Sequence, residues 1–366
     1  MKCLKVLHFG LGPNRGGIET YLQKISSRVN PDKFHFTFLH SSPDPCFKNE
    51  LTQLGCDFKK VTPRSKSVKK NSKEVNHIIS EGDYDILHCH INTLSYITPV
   101  LSALKHNVPV IVHSRNAGTG GSLFTKIMHK INQYRLPLNK INKIAVSQEA
   151  GEWLFGRNTD FEVYNNGIDL DTFRFNENGR KNVRNEFSIE DDEIVFGNVG
   201  AFLPAKNQAF VIEIFANILQ HNKESRLLLI GEGSLKQNAV EKARELGVEE
   251  KVHFAGKRSD MPELYSAMDV MLFPSFYEGF PNTILEAQAC GLPCLMSDVI
   301  TKEVVIRQNC HQASLNLDAK QWADKAFQMT SPENDRKTAW NEVENAGFSV
   351  QQEIARLENL YSKVSV

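Results

Sequence analysis

Residues 275–293 read "SFYEGFPNTILEAQACGLP" and follow the apolar run "DVMLF" (269–273). Pro281 is unsuited to a helix interior, because its ring removes an N–H and clashes with the preceding turn. Asn282 and Thr283 are good residues for a helix start. The pattern predicts a helix over 283–290, entered by a tight loop from one strand and followed by another, "PCLMS" (293–297). Glu278 then lies in the loop at the first strand's carboxyl end, with Glu286 about one turn into the helix. Free N–H groups near 281–284 make that helix start attractive to an anion. A carboxylate on either side of it suits a phosphate beside two sugar rings, as in a nucleotide sugar. The bland reading is a loop with solvated acids.

Outward from this stretch, apolar or β-branched runs alternate with helical-period segments. The first half reads as strands at 4–9, 34–40, 84–90, 108–114, 143–147 and 161–165, with helices such as 17–29, 92–105 and 122–134 between them. A polar, Asn-rich pause follows at 165–187. The pattern then restarts with strands at 193–200, 226–231, 251–256, 269–275 and 293–297, while 319–366 reads as helices alone. Such alternation predicts parallel sheets with crossover helices. The expected class is α/β, with two Rossmann-like doubly wound domains at 1–165 and 191–346 and an interdomain segment at 166–190.

A chain of 366 residues exceeds one typical core and fits two domains. No apolar run reaches the roughly 18 residues that span a bilayer, and "MKCLKVLHFG" reads as a first strand and not a signal peptide. Seven scattered cysteines suit a reducing, cytoplasmic compartment. The zero net charge hides an asymmetry: residues 1–165 hold 22 Lys and Arg against 13 Asp and Glu, and the remainder reverses the excess. The basic residues are densest in "KKVTPRSKSVKKNSK" (59–73). That stretch reads either as a solvated loop and helix start or as a surface drawn to anionic lipid. Nucleic acid is not expected, since little aromatic surface is interleaved for base stacking.

Three smaller motifs complete the reading. In "FGLGPNRGGIET" (9–20), Gly16 comes one residue too late for a dinucleotide fingerprint after Gly10 and Gly12. Gly16 and Gly17 still allow backbone N–H groups to approach a phosphate at a helix start. Lys206, before a helix in "GAFLPAKNQAF" (200–210), and "VHSRN" (112–116), with His113 and Arg115 at a strand end, are further candidates. His88 and His90 flank Cys89 with no evident third ligand, so no metal is expected.

Taken together, these stretches resemble a family. "NRGGIET", "HSRN", "NNGIDLDTF", "VGAFLPAKNQ", "IGEGSL", "VHFAGKRSDMPELYSAMDVMLFPS" and above all "EGFPNTILEAQACGLPCLMSD" look like a retaining glycosyltransferase of the GT-B fold, family 4 (glycosyl transferases group 1). Within it the chain resembles bacterial capsular and exopolysaccharide transferases, from residue 4 to about 306. The resemblance implies two domains facing a central cleft, the first for the acceptor and the membrane. It implies a helix at 347–366 crossing back to the first domain. It places Glu286 on the donor's ribose hydroxyls and Glu278 beside the donor sugar. The backbone of Gly279, Phe280, Pro281, Asn282 and Thr283 approaches sugar and phosphate. Lys206 pairs with the diphosphate, with Gly16 and Gly17 closing over it. His113 is near the reacting sugar, and Arg258, in "KRSD" (257–260), flanks the base. The family pattern has an arginine where this chain has Ala201, which removes a charge-assisted hydrogen bond worth about 1.5–3 kcal/mol. A histidine is usual where this chain has Arg115, and Arg115, which ends a strand at the crevice, is a candidate compensating cation.

The function so implied is metal-independent transfer of a sugar from a nucleotide sugar, UDP by family frequency, with no cofactor. The acceptor is a lipid-linked or other glycan in capsule, exopolysaccharide or lipopolysaccharide synthesis. The expected location is the cytoplasm, peripheral on the inner face of the plasma membrane. A nucleotide-sugar 2-epimerase of the same fold and a non-catalytic sugar-nucleotide-binding protein are the alternatives.

Overall fold

The computed structural model describes residues 2–118, 122–330 and 335–365. The chain divides into two units, Met1–Asn165 with Gln351–Val366, and Asn166–Val350.

The first unit alternates β1 (Leu4–Phe9), α1 (Gly17–Ser26), β2 (Phe34–His40), α2 (Lys48–Gln53), β3 (Asp57–Lys60), α3 (Val68–Glu81), β4 (Ile86–Ile91), α4 (Thr98–Lys105), β5 (Val110–Ser114), α5 (Leu123–Arg135), β6 (Asn142–Ala145), α6 (Gln148–Phe155) and β7 (Glu162–Val163). Its parallel sheet has the order β3-β2-β1-β4-β5-β6-β7. β4 is buried along its whole length, as expected for a central strand covered on both faces.

The second unit follows as α7 (Glu177–Glu186), β8 (Ile194–Val199), α8 (Gln208–His221), β9 (Ser225–Ile230), α9 (Lys236–Glu245), β10 (Val252–Gly256), α10 (Met261–Ala267), β11 (Val270–Phe273), α11 (Asn282–Ala289), β12 (Cys294–Ser297), β13 (Cys310–Ala313), α12 (Ala319–Gln328) and α13 (Ala339–Asn345). Its sheet order, β10-β9-β8-β11-β12-β13, is again that of a doubly wound fold. The final helix, α14 (Val350–Val364), lies almost wholly in the first unit. There Glu353 pairs with Lys24, and Arg356 donates to the Val163 carbonyl at 2.7 Å.

Two differences from the sequence reading stand out. The segment 166–190 is part of the second unit. Arg180 and Arg184 of α7 hold Asp269 at 2.8 and 2.7 Å, and both donate to carbonyls at the end of α10. Strands β3 and β13 were also not expected. β3 is an edge strand of sequence DFKK, whose lysines face water and hide the strand signal.

Candidate active site

In a doubly wound sheet, ligands bind beyond the strands' carboxyl ends where the strand order reverses. In the second unit that point lies between β8 and β11. Lys206 follows β8 in a short 3-10 turn. The next residue, Asn207, has φ +56° and ties this turn to the end of β11 by donating to the Pro274 carbonyl at 3.2 Å. Lys206 Nζ meets Glu278 Oε1 at 2.5 Å, with both side chains largely buried. The amine also lies 5.1 Å from the centre of the Phe273 ring. The two residues that the resemblance assigns to diphosphate and sugar are therefore partners of each other.

α11 begins at Asn282 behind Pro281, close to the helix start that the proline dictates. Phe280 is buried and stacks on Phe348 with ring centres 5.6 Å apart, fixing the loop from below. Asn282 Oδ1 accepts from Asn166 Nδ2 at 3.0 Å. At the other end Gly291 has φ +68°, and a Cβ there would come within 2.5 Å of Arg336 Cα. Only glycine closes the helix at that spot.

Glu286 is half-buried and accepts from the Tyr265 hydroxyl at 2.8 Å. Burial first, and the Glu286 charge second, push the Tyr265 phenol well up, so it stays a donor and aims the carboxylate. Nothing in "MPELYSAMD" separates Tyr265 from a core tyrosine, and the sequence reading does not find it. Arg258 spends its fork on Glu186 (2.5 and 2.8 Å) and Asp260 (2.9 and 2.7 Å). These partners hold the guanidinium's pKa above its ordinary value.

In the first unit, Gly16 caps α1. The glycine turn before it is crossed by Glu19, whose Oε1 accepts from the Gly12 N–H at 2.9 Å. The turn thus presents a backbone donor to a carboxylate. Gly10, at φ +134°, packs so closely on β4 that a Cβ would lie 2.5 Å from the His90 carbonyl oxygen.

The resemblance puts His113 beside the reacting sugar. The structure buries it to 1% exposure with both ring nitrogens engaged. Arg115 Nη1, which can only donate, lies 3.1 Å from His113 Nε2. His113 must therefore carry its proton on Nδ1 and donate it to His88 Nε2 at 3.3 Å. His88 then donates from Nδ1 to the Tyr361 hydroxyl of α14 at 2.8 Å. Arg115 also lies over the Tyr21 ring at 3.8 Å.

The pair His88 and His90 does have a third member, which corrects the sequence reading. His8 stands in register with His88, and a nitrogen from each of His8, His88 and His90 falls within 4.8 Å of the others. A metal-bound imidazole normally gives its other N–H to an acceptor. Yet His8 Nε2 and His90 Nδ1 are buried without hydrogen-bond partners among the described residues. His8 Nδ1 and His90 Nε2 instead meet at 3.1 Å as a hydrogen-bonded pair. Burial drives the pKa of His8 down to about 3 and lowers those of His88, His90 and His113 well below their ordinary value.

Two doubly wound α/β units, with the candidate donor residues at the switch point of the second, define the GT-B class of fold. The family model described as glycosyl transferases group 1 matches residues 179–346. The putative glycosyltransferase EpsF of Bacillus subtilis is 30% identical over 98% of this chain and 96% of its own length. An Escherichia coli UDP-Gal:alpha-D-GlcNAc-diphosphoundecaprenol alpha-1,3-galactosyltransferase is 22% identical over the same shares. Among solved structures, Anabaena Alr3699/HepE in complex with UDP superposes with a TM-score of 0.80 at 20% identity, covering 98% of this chain and 100% of that one. The chain belongs to the glycosyl transferases group 1 family and is a glycosyltransferase.

Proposed function

We propose that the protein moves a sugar from a UDP-sugar, with retention at the anomeric carbon, to a lipid-linked or saccharide acceptor in bacterial surface-polysaccharide synthesis. The observation that carries this reading is the Lys206–Glu278 pair at the β8/β11 switch point, in the unit that also presents Glu286 on α11. When donor binds, Lys206 exchanges Glu278 for the diphosphate, and Glu278 turns to sugar hydroxyls. The bond from the anomeric carbon to the diphosphate breaks as the acceptor oxygen bonds to that carbon, and the acceptor's proton leaves with UDP. The charge that grows is on the diphosphate, so a fixed ammonium and backbone N–H groups are the useful groups. The Escherichia coli relative is named for a diphosphoundecaprenol-linked acceptor, which supports the lipid-linked reading. The relatives named above are transferases, which favours transfer over epimerisation.

Glu286→Ala is expected to weaken UDP-sugar binding about 10- to 150-fold, the worth of a charged hydrogen-bond acceptor shared by two hydroxyls. Calorimetry checks this, and unchanged affinity would remove Glu286 from the ribose. The stretch 59–73 exposes Lys59, Lys60, Arg64, Lys66, Lys69, Lys70 and Lys73. Changing Lys66, Lys69 and Lys70 to Glu is expected to reduce co-sedimentation with anionic vesicles, as added salt does. Equal sedimentation of variant and wild type at low salt would make the stretch a solvated face only.

A further inference from the structure

In the first unit the strand order reverses between β1 and β4, and the turn from β1 into α1, residues 10–16, leaves the sheet at that point. Ligands bind beyond the strand ends at such a reversal, and a helix start there favours an anion. Gly12 in this turn is gripped from both sides. Its N–H donates to Glu19 Oε1 at 2.9 Å, and its carbonyl accepts from the Cys46 N–H at 2.8 Å. Glu19 stands at the third position of α1, behind the N-cap Gly16. A glutamate there ordinarily reaches back to the N-cap N–H, whereas Glu19 reaches past it to Gly12. A Cβ on Gly12 would lie 2.8 Å from Glu19 Oε1, and a Cβ on Gly16 would lie 2.8 Å from Glu19 Oε2. Apart from chain neighbours, Glu19 is the only described residue within 4 Å of either position. Neither glycine has a positive φ, so their backbone would accept alanine. What excludes a side chain at both is one carboxylate lying between them.

We propose that Glu19 is a positioning residue: its carboxylate is the internal template on which the turn 10–16 folds, and it holds the N–H groups at the start of α1 ready for the phosphates of the donor. The carboxylate fills the inner side of the turn. At Gly17 a Cβ would meet no described residue within 4 Å beyond its chain neighbours, so the helix start stays open to a ligand. Glu19 does not itself touch the phosphate, which its charge repels. Removing the charge and removing the hydrogen bond therefore have opposite consequences for an anion. Glutamine keeps an oxygen for the Gly12 N–H without the charge, and alanine keeps neither. The same contact accounts for glycine at 12 and 16 in a turn whose spacing does not fit a dinucleotide fingerprint. The inference rests on the UDP-sugar reading for its ligand, but the turn's dependence on Glu19 is tested without any ligand, so the two fail separately.

The first arm of the experiment is a melting-temperature cycle of Glu19→Ala, Gly12→Ala and the double variant. Gly12→Ala is expected to lower the melting temperature of the wild type, because its Cβ displaces the carboxylate. In the Glu19→Ala background the same change is expected to be neutral or stabilising, since the space is then free and alanine restricts the unfolded chain. Additive losses would overturn the proposal. The second arm is calorimetry with UDP and with uridine, at a temperature where every variant is folded. Glu19→Ala is expected to bind UDP about tenfold more weakly and to bind uridine as wild type does, the loss of about one charge-assisted hydrogen bond to phosphate. Glu19→Gln is expected to stay within about threefold of wild type for both ligands. Equal UDP affinity in wild type and Glu19→Ala overturns the proposal. So does tighter UDP binding by both variants, which would make Glu19 a resident anion competing for the turn. A wild type that binds neither UDP nor uridine refutes the UDP-sugar reading, and the melting cycle still decides the role of Glu19.

Discussion

Replacing Lys206 by alanine is expected to lower kcat about 10²- to 10³-fold, the usual loss when one preorganised group facing a developing charge is removed. Lys206 is held at the β8/β11 switch point by the 3-10 turn at Pro204–Lys206 and by Asn207, which bonds across to Pro274. Its ion pair with Glu278 at 2.5 Å keeps the ammonium in place before the donor arrives. That pair is a ground-state contact, and losing it alone changes binding of donor and leaving group together. The larger effect is expected in the chemical step, where charge moves from the sugar bond onto the diphosphate. Single-turnover measurement at saturating donor separates the two. A kcat within threefold of wild type would contradict the assignment of Lys206 to the leaving group.

Stability is expected to fall steeply with acid, by about 5 kcal/mol per pH unit once the pH is well below 6.5, from four histidines acting together. His8, His88, His90 and His113 are buried on neighbouring strands of the first unit. Burial holds His8 neutral down to about pH 3, and burial with the neighbouring Arg115 charge keeps His113 neutral as well. Folded imidazoles stay unprotonated, while unfolded ones take protons below their ordinary value near 6.5. The unfolded state therefore binds more protons, and stability drops as the pH falls through 6.5 and continues to drop toward the folded values. Most carboxylates titrate lower, so the window between pH 6.5 and 5 isolates the histidines. Urea titrations across that window measure the slope. His90→Gln, which removes one titrating ring, should reduce it by up to about 1.4 kcal/mol per pH unit. A flat stability between pH 6.5 and 5 would show that the cluster is protonated or hydrated in the folded protein.

The features legible in the sequence were local. Pro281 set the start of α11, and the period of the apolar runs gave most of the strands. What was hidden depended on distant partners. β13, of sequence CHQA, is short and polar because it borders the sheet. His8 is one of twelve histidines, and only the adjacency of β1 and β4 sets it beside His88. Tyr265 reaches Glu286 across twenty-one residues, and Arg258 reaches Glu186 across seventy-two. Such pairs follow from strand order, which no local pattern encodes. The basic stretch was visible as composition.

The central claim is that the second unit holds a nucleoside diphosphate sugar with Lys206 on the diphosphate and Glu286 on the ribose. Its most direct test is calorimetric titration of wild type, Lys206→Ala and Glu286→Ala with uridine, UDP and UDP-sugars. The account predicts that Lys206→Ala loses affinity for UDP and UDP-sugars while binding uridine as wild type does. It predicts that Glu286→Ala weakens all three ligands alike. Equal affinity of Lys206→Ala and wild type for UDP, with Glu286→Ala also unaffected, would contradict it.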